Sequence, residues 1–144
     1  MDDNCLKIES QLCFPLYVCS KEIIKKYKPF LDELGLTYTQ YITLLVLWEN
    51  DKLNIKELGQ KLYLDSGTLT PLLKKLEEKG YLKRYKNKDD ERNLVITLTN
   101  KGISLKQKAK SVPIKVGKCI NLDTKDATVL HQLLHKILKQ VNNE

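Results

Sequence analysis

The chain has 144 residues, of which 42% are hydrophobic and 30% are charged, and its formal net charge is +7. This composition excludes a disordered chain, and no stretch approaches the roughly 20 apolar residues of a membrane span or the pattern of a secretory signal. We therefore predict one cytoplasmic globular domain without a cofactor, in which the four cysteines are mostly reduced.

The first predicted helix lies near the N-terminus. Its apolar residues recur at helical spacing: Leu12, Leu16, Ile23, Ile24, Tyr27, Phe30 and Leu31. Because proline is tolerated in the first turn of a helix, Pro15 predicts that the helix begins near residues 12–14, with Cys13 at its N-terminal end. The helix dipole favours a thiolate there, and a thiolate can attack the O–O bond of a peroxide. The alternative is that Cys13 is a small, inert core residue.

A second helix is predicted to begin near Thr37 or Thr39, and two short helices that meet at a tight turn follow it. Leucines at helical spacing give these two helices their buried faces: Leu58, Leu62 and Leu64, then Leu69, Leu72, Leu73 and Leu76. In the second of them, Asp65 or Ser66 caps the start, Pro71 falls near the first turn, and left-handed Gly80 ends the helix. The opposite face carries hydroxyls and cations that can reach base edges and phosphates: Ser66, Thr68, Thr70, Lys74 and Lys75.

A basic hairpin is predicted next, from strand-forming residues 81–85 and 94–98. Arg84 lies on the ribbon and is assigned to DNA binding, as are Asp90 and Arg92 at the tip, where a carboxylate can brace the arginine. Arg92 would enter a minor groove, where narrow A·T-rich DNA concentrates negative potential. The alternative for the tip alone is a solvated, charged turn.

The C-terminal segment is predicted to be helical. A helix begins after Thr99, is interrupted near Pro113, and is followed by another that Asp123 caps. His131 and His135 lie four residues apart on this last helix, and we interpret them as a surface or interhelical pair because no third metal ligand accompanies them. The apolar helical surface exceeds what one small domain can cover, which predicts a homodimer.

The positive charge is concentrated where the reading elements are predicted. Residues 1–51 contain 5 Lys/Arg and 8 Asp/Glu, whereas residues 52–144 contain 20 Lys/Arg and 10 Asp/Glu. Phosphate neutralisation requires such a basic region, and a dimer presents two reading helices to a symmetric site. We therefore predict double-stranded DNA with a pseudo-palindromic operator as a partner, and no membrane partner.

The expected fold is mainly α, with a small β-hairpin wing. It is a single domain over residues 1–144, in which residues 37–99 form a winged helix-turn-helix. Residues 1–36 and 100–144 supply the dimerisation helices.

Four sequence runs carry a resemblance to a known family: LCFPLY at residues 12–17, GLTYTQY at 35–41, LYLDSGTLTPLL at 62–73 and DER at 90–92. Together with the order of elements, they resemble the MarR family of bacterial transcription regulators, in the branch of the organic hydroperoxide regulator OhrR. The resemblance covers nearly the whole chain. It implies a dimeric repressor that leaves DNA when an N-terminal cysteine, matched here by Cys13, is oxidised by an organic hydroperoxide.

The resemblance also implies roles for further residues. Tyr27 and Tyr38 match tyrosines that hydrogen-bond the reactive sulfur, and Tyr17 is assigned to the same pocket because it is close to Cys13 in sequence. Cys119 lies about where members with two cysteines keep a resolving residue on the partner subunit; a small cellular thiol and a spectator Cys119 are the alternatives. The rival functions are a MarR-type regulator released by a non-redox small ligand, a thiol peroxidase, and an architectural DNA binder.

Overall fold

The computed structural model describes residues 2–90 and 92–142 of the chain. Two 3₁₀ turns, Asp3–Leu6 and Ile8–Ser10, precede the first α-helix. The helices are α1 (Cys13–Asp32), α2 (Tyr38–Glu49), α3 (Ile55–Leu62), α4 (Ser66–Glu78), α5 (Asn100–Ala109), α6 (Ser111–Ile120) and α7 (Thr124–Val141). The strands are β1 (Leu53–Asn54), β2 (Leu82–Lys86) and β3 (Leu94–Leu98). The predicted mainly α winged helix-turn-helix is confirmed.

The helix starts follow local capping chemistry. The Thr37 hydroxyl accepts from the Gln40 N–H, and the Gln40 side chain accepts from the Thr37 N–H, so α2 begins with a reciprocal capping box. Asn54 and Glu57 form the same arrangement at the start of α3. At α4, the Asp65 carboxylate accepts from the Thr68 N–H at 2.7 Å. The predicted starts of α2 and α4 are therefore confirmed.

The turn between α3 and α4 is tight because the two helices approach closely. Tyr63 ends α3 in the left-handed conformation, with φ of 55°, and Leu64 follows it outside the helix, which corrects its assignment to the helical stripe. A Cβ on Gly59 would lie 2.7 Å from the Leu64 carbonyl oxygen.

Pro71 is in the second turn of α4, not near the first as predicted. Gly80 has a φ of 80° and ends this segment as predicted.

The sheet has three strands, in the order β1-β3-β2, where the sequence predicts two. Strands β2 and β3 pair antiparallel as the hairpin, with Arg84 opposite Ile96. Strand β1 adds to the other side of β3 by pairing Leu53 with Ile96 and Asn54 with Val95. Two residues are too short to show an alternating pattern, so the sequence contains no signal for β1. Because β1 leads directly into α3, the sheet is anchored to the helix-turn-helix.

Helix α5 attaches the C-terminal helices to the winged helix-turn-helix, which consists of α2 to β3. The Trp48 indole N–H donates to the Gly102 carbonyl at 2.9 Å, and the Lys106 ammonium donates to the Trp48 carbonyl at 3.3 Å. The break between α5 and α6 falls at Lys110, three residues before Pro113, so the predicted interruption is confirmed. The proline ring clashes with a helical carbonyl four residues earlier, which disfavours one continuous helix here.

Large apolar side chains are exposed mainly at the two ends of the chain. Helix α7 has no buried residue, although Leu133 and Val141 are among its exposed apolar residues. At the other end, Leu12 is 81% exposed and Leu6 is 80% exposed. Contiguous apolar surface of this kind marks an interaction site. Within the described ranges, no helix is both long and apolar enough to span a bilayer.

We predict that Gly102→Ala lowers the free energy of unfolding by about 2 kcal/mol, because a Cβ at this position would lie 2.1 Å from the Tyr81 carbonyl oxygen. Gly117→Ala is the matched control, because it also lies inside a helix but has no atom within 4 Å of the added Cβ. It should raise stability by up to about 1 kcal/mol through helix propensity. Urea titration followed by circular dichroism at fixed protein concentration measures both. Equal effects of the two substitutions would show that the α5 contact is not tight.

Candidate DNA-reading and redox sites

The exposed face of α4 carries the side chains that the sequence assigned to DNA. Ser66, Thr68, Thr70, Lys74 and Lys75 are all exposed, while Leu69, Leu73 and Leu76 on the other face are fully buried. The Thr70 hydroxyl donates to the Ser66 carbonyl at 2.8 Å, which leaves its oxygen free to accept. Backbone and side-chain hydrogen bonds from Thr68 hold the pKa of Asp65 below its ordinary value, so its capping carboxylate is ionised at neutral pH.

The wing tip is ordered by backbone contacts of Asp90. Its carboxylate accepts from the Arg92 N–H at 3.0 Å, and its carbonyl accepts from the Asn93 N–H at 3.0 Å. The Asp90 carboxylate thus contacts the backbone of Arg92. The Arg92 side chain is exposed. This arrangement presents the arginine at the end of the hairpin.

Arg84 joins the wing to the reading helix. Its Nη2 lies 3.2 Å from Glu77 Oε1, its Nε lies 3.3 Å from Oε2, and its backbone N–H donates to Oε2 at 2.9 Å. The Arg84 side chain is only 21% exposed. Hydrogen bonding to Arg84 lowers the pKa of Glu77, so the carboxylate stays ionised at neutral pH and the brace is lost only in acid. The guanidinium that the sequence assigned to DNA is therefore engaged with α4.

Cys13 is the first residue of α1 and its side chain is exposed. Leu12 precedes it without forming a side-chain cap, so the first turn keeps uncapped N–H groups, and Pro15 in that turn has none to offer. The predicted position at a helix N-terminus is confirmed. Tyr17 lies one turn further along α1, on the same side as Cys13, and the Lys21 ammonium lies 4.4 Å from its ring centroid.

The tyrosines that the resemblance assigned to the sulfur form a cluster between α1 and α2. The ring centroids of Tyr27 and Tyr38 are 5.0 Å apart, and Tyr41 lies 5.9 Å from Tyr27. Burial raises the pKa of all three, and that of Tyr41 to about 12. Their phenols are therefore neutral at physiological pH and are able to donate hydrogen bonds.

The structure does not bring Cys13 to this cluster within one chain. Fourteen residues of continuous helix separate Cys13 from Tyr27. At 1.5 Å per residue, this is about 21 Å along the helix axis, far beyond the roughly 3 Å of a hydrogen bond. The Tyr27 hydroxyl therefore cannot reach the sulfur of its own subunit.

Cys119 is also remote from Cys13 of the same chain. The Lys115 ammonium lies 3.6 Å from Glu33 and 5.5 Å from the Phe30 ring centroid, so α6 packs against the C-terminal part of α1. Cys119 is only one turn beyond Lys115, while Phe30 is about 25 Å along the axis from Cys13. Bridged cysteines have Cα atoms within roughly 7 Å, so these two cannot pair inside one subunit.

The sequence of the chain is similar to those of known transcription regulators. Residues 25–109 match the family model of the transcriptional regulator SarA/Rot. The chain is 48% identical over 128 residues to the organic hydroperoxide resistance transcriptional regulator of Bacillus subtilis, which covers 89% of this chain and 85% of that protein. It is also 48% identical over 140 residues to the HTH-type transcriptional regulator SarZ of Staphylococcus saprophyticus, covering 97% of this chain and 96% of SarZ. The chain belongs to the MarR family, in its OhrR-like branch.

Solved structures of another relative, AbfR of Staphylococcus epidermidis, share the fold. Reduced AbfR bound to DNA superposes with a TM-score of 0.78 at 35% identity, covering 98% of this chain and 99% of AbfR. AbfR with a disulfide formed gives a TM-score of 0.66 at 34% identity, covering 94% and 96%. This MarR-family chain is therefore a DNA-binding transcriptional regulator and not an enzyme, so a thiol peroxidase is the wrong alternative.

Sequence reasoning missed two residues of these sites. Glu77 is not predictable from the sequence, because a glutamate on a helix surface has no distinctive pattern. Only the folded hairpin places Arg84 beside it. The sequence analysis assigns no role to Tyr41, although its spacing of three from Tyr38 is a signal that both rings share one face of α2. The remaining residue assignments in this MarR-family regulator stay predictions.

We predict that the double variant Lys74→Ala, Lys75→Ala binds all duplex sequences more weakly, because each lysine is expected to contact a phosphate. The slope of log affinity against log salt should fall by roughly one unit per lost contact. Lys125→Ala, Lys136→Ala is the matched control, because it removes the same charge from exposed positions of α7. Operator titrations at several salt concentrations measure the slopes. An unchanged slope in the α4 variant would contradict this placement of the reading helix.

Proposed function

We propose that this MarR-family regulator is a homodimeric repressor that binds a pseudo-palindromic operator when reduced and releases it when an organic hydroperoxide oxidises Cys13. The observation that carries the proposal is the exposed Cys13 thiol at the first residue of α1, in a chain 48% identical to an organic hydroperoxide resistance regulator. The exposed sulfur is accessible to the oxidant, and the first-turn N–H groups of α1 have no side-chain cap and are available as hydrogen-bond donors.

The apolar surface at both ends of the chain supports the dimer. Helix α7 buries none of its residues in its own subunit, and its apolar residues recur along one stripe. The N-terminal residues before α1 likewise leave Leu6 and Ile8 exposed. Pairing two chains through these segments removes apolar surface from water and places two α4 helices in one assembly.

The redox site is completed across the proposed dimer. Because Tyr27 lies about 21 Å along α1 from Cys13 of its own chain, only the tyrosine cluster of the other subunit can reach the sulfur. The phenols of Tyr27 and Tyr38 are neutral and close together, so two donors can converge on one thiolate. Tyr17 of the same chain as Cys13 adds a third phenol one helical turn away.

The oxidation has two balanced steps. The Cys13 thiolate attacks an oxygen of the hydroperoxide, the O–O bond breaks, and the alkoxide leaves to be protonated as an alcohol. Cys13 is oxidised by two electrons to a sulfenic acid, and the peroxide is reduced. The Cys119 thiolate of the other subunit then attacks this sulfur, a disulfide forms, and hydroxide leaves to be protonated as water.

The disulfide is the proposed switch for DNA release. It must join two subunits, because Cys13 and Cys119 of one chain are too far apart. Drawing the two Cα atoms within roughly 7 Å moves the terminal helices, and that turns the winged units away from successive major grooves about 34 Å apart. AbfR provides support, because it is bound to DNA when reduced and when overoxidised, and has also been seen with a disulfide.

Release by a small non-redox ligand is a second candidate function. A groove of about 270 Å³ with a mostly apolar lining lies between α1 and the start of α2. Its lining residues are Ile24, Lys25, Lys28, Leu31, Asp32, Leu36, Thr37 and Tyr38. A regulator that works through this groove would leave DNA without any change at Cys13, so the Cys13 variant below separates the two functions.

We predict that Cys13→Ser keeps its operator affinity but is not released by cumene hydroperoxide at doses that release the wild type. Serine is close in size to cysteine, and its hydroxyl does not reduce the O–O bond. Cys19→Ser is the matched control on the same helix, also at an exposed cysteine, and should respond like the wild type. Operator binding before and after oxidant measures both. Release of Cys13→Ser at the wild-type dose would falsify the role of Cys13.

We also predict that the disulfide forms only between subunits. With Cys5 and Cys19 replaced by serine, one chain carries Cys119→Ser and a second chain of different length carries Cys13→Ser. After the two are mixed and oxidised, a non-reducing gel should show one covalent species, the heterodimer, because each homodimer lacks one partner. Dithiothreitol should reverse it. Loss of DNA binding without any covalent heterodimer would reject Cys119 and favour an external thiol.

A further inference from the structure

The histidine pair on α7 has a geometry that its sequence spacing does not reveal. His131 Nε2 and His135 Nε2 lie 3.0 Å apart, and the ring centroids are 4.2 Å apart at an interplanar angle of 61°. The two nitrogens therefore face each other at hydrogen-bond distance. In a neutral pair, one Nε2–H donates to the other Nε2.

We propose that His131 and His135 form a binding site for a divalent transition-metal cation. Histidines four residues apart on one helix face are the spacing with which the HExxH helix presents two imidazoles to zinc. To offer both Nε2 lone pairs to the cation, the ring that donates the hydrogen bond shifts its proton to Nδ1, so that both imidazoles stay neutral. This site uses none of the residues assigned to the redox chemistry of Cys13.

The observed Nε2–Nε2 distance of 3.0 Å is a hydrogen-bond distance, and two metal–nitrogen bonds of about 2.05 Å can span it with little movement of either ring. Square-planar and octahedral ions such as copper(II) and nickel(II) have right-angle sites, and imidazole suits both. Water supplies the other ligands, because the described part of the chain contains no cluster of three or more metal-ligating side chains.

The pair lies at the border of the apolar stripe of α7. Leu134 and Leu138 are its neighbours on one side, where they line an apolar groove with Leu16, and Thr128 and Lys139 follow on the other side. His131 and His135 line the same groove, and both side chains are exposed in the single chain. The bound cation would bridge one turn of a helix that has no residue buried in its own subunit.

The chain contains two histidines, so an imidazole signal can come from no other residue. We would titrate nickel(II) chloride into the full-length protein with its four cysteines replaced by serine, and follow the two histidine Hε1 resonances by proton NMR. Both signals should broaden together at substoichiometric nickel, because one paramagnetic ion contacts both rings. His131→Gln or His135→Gln should weaken binding at least about tenfold, since each removes one of two ligands.

A register control keeps two histidines but separates their faces. Gln132→His combined with His135→Gln places the imidazoles on adjacent residues, which point about 100° apart around the helix. This variant should bind nickel like a single-histidine variant. If it bound as tightly as the parent, or if the parent's two resonances broadened independently with the affinity of the single variants, chelation by His131 and His135 would be disproved.

Discussion

The length of α1 is the constraint on which the rest of the sensing site depends. A continuous helix from Cys13 to Asp32 holds the thiol at one end and Tyr27 near the other. Backbone hydrogen bonds fix that separation, so no side-chain movement can close it. A single chain thus contains the proposed nucleophile, the proposed phenol donors and the candidate resolving cysteine, but keeps them apart. The proposed chemistry requires a second chain to bring the three together.

Because Cys13 and the tyrosine cluster are far apart within one chain, the proposed peroxide sensing depends on dimer formation. In the proposed dimer, a chain that lost its partner would keep an exposed Cys13 without a tyrosine cluster beside it, and its single α4 would read only half of a symmetric site. On the proposed mechanism, reactivity toward peroxide and operator binding are both properties of the dimer. They would be lost together at concentrations where the subunits dissociate.

Local sequence rules predicted most of the fold because each helix start has its own chemical signal. Thr37, Asp65 and Asp123 all cap helices as predicted, and Gly80 has the left-handed conformation that ends its segment. Strand β1 could not be predicted, because its two residues are stabilised by a partner more than forty positions later. The role of Arg84 was hidden for the same reason. Its contact with Glu77 exists only after the hairpin folds back on α4, and the separation of Cys13 from Tyr27 is likewise a property of the assembled helix.

The hydrogen bond between Trp48 and Gly102 connects the C-terminal helices to the winged helix-turn-helix, so a rotation of one would move the other. The indole N–H joins α2 to α5 by a hydrogen bond to the Gly102 carbonyl, and Gly102 also packs closely against the Tyr81 carbonyl just before β2. A rotation of the terminal helices would also rotate the winged unit. The resulting displacement of an atom in the winged unit would increase with its distance from the contact between Trp48 and Gly102. One base-pair step is only about 3.4 Å, so a small angle at the dimer interface is enough to move a reading helix out of register with its half-site.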